Sequence, residues 1–164
     1  MTTDNERKTE NVVRDEFRRL KYYDASGDIR VEEQKSNIEA VKRLLRFGSK
    51  SGLGGKGSPE FIVSSPSSPD FLVIVECKAN PKDHASARIQ KLLSGNDAEE
   101  LEEAKAKRLQ RYAADGVLHY AKSLSREFSV IAVAVSGETK KGASVSTFLH
   151  TKGEKRPKQL LLSH

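Results

Sequence analysis

The sequence has a single cysteine, Cys77, so an internal disulfide and any cysteine-rich zinc site are both excluded. That lone thiol lies in an apolar run with no histidine near it in sequence, which marks it as a small packing residue rather than a nucleophile. No run of about twenty apolar residues is present, so no membrane-spanning helix is expected. The polar start, Met1 to Lys8, lacks the apolar segment of a secretion signal. With one cysteine, these absences point to a cytoplasmic protein. No histidine pair has zinc-ligand spacing, no repeat or long low-complexity tract occurs, and no methyltransferase motif or sequence-reading DNA module is visible.

What is present is basic and moderately apolar. At 164 residues with a net charge of +6 and 36% hydrophobic residues, the chain suits one domain with a modest core and a polyanionic partner. Periodicity predicts a helix over about 5–22, with Val12, Val13, Phe17 and Leu20 on one stripe. Ser36 to Glu39 reads as a capping box opening a helix to about Phe47. A glycine-rich loop, 48–57, precedes two strands at about 59–64 and 70–78, apolar on both faces as expected of central strands. The segment up to 97 reads as a loop. A long helical stripe over 98–125 carries Gly116 as a close contact or a break, 129–136 is a buried strand, and 144–150 is an edge strand. The expected fold is α/β, a mixed central sheet flanked by helices, with its core at about 30–150. Residues 1–28 form a helical extension, and 151–164 a basic tail or linker to further domains.

The chemistry concentrates at the end of the second strand. Phe71 to Lys78 ends in Glu76-Cys77-Lys78, so alternation puts Glu76 and Lys78 on one face and Cys77 on the other. Glu-x-Lys occurs five times here, but only Glu76/Lys78 follows a run of five apolar residues with another acid on a neighbouring strand. An acid and an amine there are costly to bury unless they serve a metal or a partner.

These residues resemble the PD-(D/E)xK nuclease superfamily. More narrowly, Gly55 to Val63, Val75 to Ala79 and Asp115 to Ala121 look like the N-terminal nuclease region of combined restriction–modification enzymes, which precedes an adenine-N6 methyltransferase. The resemblance covers about residues 30–137. It implies a restriction-endonuclease-like core and a Mg²⁺-dependent endodeoxyribonuclease acting on double-stranded DNA, with Mn²⁺ as a substitute. Methyltransferase and target-recognition domains would lie elsewhere in the full-length protein. Pro69-Asp70 has the superfamily's Pro-Asp form, yet Asp70 is six residues before Glu76, about 20 Å along one strand. Glu60 lies sixteen residues ahead and beyond a turn, so it can stand opposite Glu76 and takes the first acidic role. The implied site is Glu60, Glu76 and Lys78, with Glu60, Glu76 and the Cys77 backbone carbonyl holding the metal. Glu33, Gln110 and Tyr112 are candidates for a second metal or for supporting contacts, and Lys50, Lys56 and His84 for DNA contact. Two alternatives stand beside this reading: a non-catalytic nucleic-acid-binding domain on the same fold, and a stand-alone junction-resolving nuclease.

Overall fold

A computed structural model describes residues 4–96 and 98–161. The elements run α1 (Asp4–Arg19), β1 (Arg30–Glu33), α2 (Glu39–Leu44), β2 (Phe61–Ser64), β3 (Phe71–Lys78), a 3₁₀ turn (Pro81–Asp83), α3 (Arg88–Ser94), α4 (Glu102–Arg111), α5 (Ala113–Leu124), β4 (Ser129–Ser136), β5 (Ser144–His150) and β6 (Lys158–Leu160). The six strands form one mixed sheet in sequence order, antiparallel except for the β3–β4 pair. That parallel pair needs a crossover, and α5 supplies it. The fold is therefore α/β, a mixed sheet flanked by helices.

Alternation along the strands divides the core in two. Leu72 and Ile74 of β3, with Ala132 and Ala134 of β4, pack under α5 together with Val41 and Leu45. Val75 and Cys77 turn the other way and, with Phe61 and Val63 of β2, meet Val13 and Phe17 of α1. β3 is buried on both faces because α1 covers one and α5 the other.

Four local expectations are corrected. Ser36 does not cap α2: its hydroxyl donates to Glu32 and accepts from the Ile38 N–H, while Glu39 pairs with Lys42. The segment after β3 is not a plain loop but holds α3, closed by Gly95 in the left-handed conformation (φ 79°). The long helix breaks at Tyr112, which is extended (φ −105°, ψ 132°), rather than at Gly116, because the chain turns there from the exposed α4 into the buried Ala113 and Ala114. Finally, β5 is not an edge, since the tail returns as β6 beside it, pairing Phe148 with Gln159.

Candidate carboxylate site at the end of β2 and β3

The β2–β3 register pairs Phe61 with Val75 and Ile62 with Ile74, so one step further Glu60 stands opposite Glu76. By alternation both acids lie on the face of Ile62 and Ile74, which pack toward α5. Glu76 is only 1% exposed, and the Glu60 main-chain oxygen is tied to the Gln34 N–H of the β1 side at 3.0 Å. Burial raises the Glu60 carboxyl well above its usual range, and the neighbouring Glu76 charge and a hydrogen bond between the two carboxyls raise it further. Apart from a proton shared between the two carboxyls, Glu60 Oε2 and Glu76 Oε1 are buried with no donor. Two acids in this state share either a proton or a cation.

A third oxygen belongs to the same end. The Lys78 carbonyl accepts from the Gly137 N–H on the β4 side, and carbonyls alternate along a strand, so that of Cys77 points toward β2. Its partner in register is Pro59, which has no N–H to give. The Cys77 side chain itself is buried against α1, where burial pushes its thiol pKa upward. Glu60, Glu76 and the Cys77 carbonyl together suit a hard divalent cation, which takes oxygen ligands and retains water. Among the described residues no three acidic, histidine or cysteine side chains converge, so the protein's own donors there are two carboxylates and one carbonyl.

The two lysines exchange their expected places. Lys50, assigned to DNA contact, reaches inward from the glycine-rich loop and sets its Nζ 2.8 Å from Glu76 Oε2, with 17% of its side chain exposed. Burial, the largest single influence, would lower the Lys50 pKa, but the Glu76 charge, Tyr120, the hydrogen bond to Glu76 and the Glu60 charge together outweigh it and the pKa is raised. The ammonium lies 5.7 Å from the centre of the Tyr120 ring, whose hydroxyl is pushed up to about 12 by burial and then by Glu76. Gly116 clears the path: a Cβ there would come within 3.2 Å of Glu76 Oε2, 3.3 Å of Lys50 Cδ and 3.0 Å of the Leu109 carbonyl. The loop is anchored by its own backbone packing, Gly57 against Gly48, and by His119 Nε2 donating to the Gly48 carbonyl at 2.9 Å. Lys78 instead reaches Glu6 of α1 at 3.3 Å, and Thr9 of the same helix donates to the Gly137 and Lys78 carbonyls.

The remaining candidates lie apart from the carboxylates or bind elsewhere. Glu33 shares a face with Phe61, on the α1 side, and is held by Arg14, so it is not beside Glu60 and Glu76. Gln110 is exposed, and Tyr112 packs against Arg111, with its guanidinium 5.0 Å from the ring centre. Lys56 is exposed on the loop. His84 is clamped between the Ser136 and Ser146 hydroxyls at 2.6 and 2.7 Å, a bridge from the 3₁₀ turn to β4 and β5. Asp70 is exposed at the opposite end of β3. Asp115, in the third segment of the resemblance, is buried and bound by Ser86 and Arg108, a packing role. Gly116 and Tyr120 were legible only as core stripe; the signal in hindsight is a glycine one turn before a tyrosine on the helix that crosses the carboxylate strand. No family model, curated protein or solved structure matches the chain.

Proposed function

We propose that this chain is a metal-dependent DNA endonuclease domain, the cleavage module of a restriction–modification protein. The observation that carries the reading is the pair Glu60–Glu76, set side by side with one buried oxygen of each, Glu60 Oε2 and Glu76 Oε1, left without a donor, next to a carbonyl that Pro59 cannot satisfy. Glu60, Glu76 and the Cys77 carbonyl would hold Mg²⁺ or Mn²⁺. Held there, the ion would supply Lewis-acid polarisation of a phosphodiester, a bound water of lowered pKa and an offset to charge developing on the phosphate. Lys50 and Lys78 flank these oxygens from the loop and from the strand end, and each supplies N–H donors to a phosphate oxygen as negative charge builds there. Hydrolysis would proceed by in-line attack of water, with Lys78 positioning the nucleophile. The net charge of +6 supports a double-stranded DNA substrate, and the resemblance supports partner methyltransferase and target-recognition domains. The single buried thiol fits a reducing cytoplasm.

A second reading rests on the Lys50–Glu76 pair itself, which neutralises Glu76 within the protein. On that reading the domain binds nucleic acid without cutting it, and the pair is structural. Supercoiled plasmid with Mg²⁺ or Mn²⁺ separates the two. Wild type is expected to nick it, Glu76→Gln and Lys78→Ala to lose nicking, and Asp70→Ala to keep it. A wild type that neither nicks plasmid nor binds Mn²⁺ by calorimetry would sink the nuclease reading and leave the second.

A further inference from the structure

The basic residues of the tail do not trail away from the fold. The connection from β5 to β6 closes one side of a cavity of about 910 Å³, whose other walls are α3, α4 and α5. Its apolar lining is Pro157 and four leucines, Leu92 and Leu93 from α3, Leu109 from α4 and Leu118 from α5. Around them stand cations from three segments: Lys105 and Arg108, Lys122, and the trio Lys155, Arg156 and Lys158.

The walls are pinned. Arg108 is bound on both sides, to Asp115 at 2.6 Å and to Glu100 at 2.9 Å. Arg156 donates to the Ser94 carbonyl at 2.8 Å and occupies the space a side chain on Gly95 would need, which ties the tail to the end of α3. The Gly153 N–H bonds the Ser125 carbonyl at 2.8 Å, fixing the same connection to the end of α5. Arg108 is neutralised by its acids, whereas Lys122, Lys155 and Lys158 have no ion pair among the described residues. Glu154 and Asp115 are the acids on the lining, so the cavity is strongly positive. His150, 1% exposed, also lines it. Its Nε2 donates to the Glu154 carbonyl at 2.8 Å, which leaves Nδ1 buried with no partner.

We propose that this cavity binds a nucleoside polyphosphate. Its volume falls within the range of small-molecule sites, roughly 300–1,000 Å³. The leucines receive the base and sugar, the unpaired lysines take the phosphates, and His150 Nδ1 accepts from an amino or hydroxyl group of the ligand. Like charges gathered on a pinned, concave wall are unfavourable by themselves, and an anionic ligand relieves them. The site is separate from the carboxylates, so it stands or falls independently of the nuclease reading.

Calorimetry in EDTA, with ADP, adenosine and pyrophosphate as probes, tests it. Lys122 and Lys155 are exposed, so Lys122→Glu/Lys155→Glu is expected to fold and to bind ADP at least about tenfold more weakly than wild type. Adenosine should bind more weakly than ADP, and Asp70→Ala, an exposed position at the far end of β3, should bind ADP like wild type. The proposal is overturned if ADP gives no binding up to millimolar concentration, or if the charge-reversed variant binds it equally well. It is overturned too if a duplex oligonucleotide needs these two lysines while ADP does not bind, which would make the cavity a DNA contact.

Discussion

Lys50→Met is expected to destabilise the metal-free protein by about 3–5 kcal/mol while tightening its hold on Mn²⁺. Removing one partner of a buried ion pair costs that much because the other charge is left without compensation. Glu76 is 1% exposed, with Lys50 Nζ at 2.8 Å and the carboxyl of Glu60 beside it, so no other cation replaces the ammonium. Methionine keeps the stem that passes Gly116 and lies near Tyr120, so the loss reports the charge rather than the packing. A divalent ion at Glu60 and Glu76 has to displace or endure the Lys50 ammonium. At about 4 Å and an effective dielectric of about 20, that repulsion is about 4 kcal/mol per unit charge, so affinity should rise at least about tenfold without it. Mn²⁺ should then recover much of the lost stability by mass action. Nicking should fall nevertheless, because a donor to the phosphate has gone. Urea denaturation in EDTA and in Mn²⁺, with calorimetry, measures both sides. A variant as stable as wild type in EDTA, and no tighter for Mn²⁺, would show that the Lys50–Glu76 contact has no net weight.

Lys50 also shows where reading a sequence stops. The opposition of Glu60 and Glu76 was accessible from spacing, because a sixteen-residue interval across one turn lets the two acids meet across an antiparallel pair. The two-sided burial of β3 followed from its unbroken apolar run. No periodicity, in contrast, says that a lysine in a glycine-rich loop folds inward; that depends on Gly116 leaving a slot in a helix more than sixty residues away. Strand alternation puts Lys78 on the face of Glu76, but its long side chain reaches past the strand end to Glu6, a partner set only when α1 docks. The capping box failed for a related reason. Ser36 had the right neighbours in sequence, but Glu32, brought to it by the end of β1, takes its hydroxyl first. The tail read as a linker from its charge, whereas three residues of strand and one arginine against Ser94 are enough to return it to the sheet.

Glu60→Gln is expected to stabilise the metal-free protein at pH 8 and to change it little at pH 4. The Glu60 carboxyl sits well above its ordinary value of 4.5, first through burial and then through the Glu76 charge. Between that ordinary value and the raised one, the folded state therefore binds more protons than the unfolded state. Stability falls with rising pH wherever the folded state binds more protons. The Glu60 contribution is thus intact below pH 4.5 and is lost as pH climbs through its folded value. Glutamine keeps the shape and the hydrogen bond to Glu76 without an ionisable proton, so it removes the slope. Burial raises Glu10 as well, so it tilts the profile in the same direction, but it does so equally in both proteins and cancels in their difference. The divalent ion reverses the ranking. Loading it requires Glu60 to release its proton, so Mn²⁺ should stabilise wild type increasingly as pH rises, and Glu60→Gln hardly at all. Melting temperatures at pH 4 and pH 8, with and without Mn²⁺, form a four-way comparison. An equal difference between the two proteins at both pH values would mean that Glu60 is not held protonated. Equal stabilisation of both by Mn²⁺ would mean that the ion binds somewhere other than this pair.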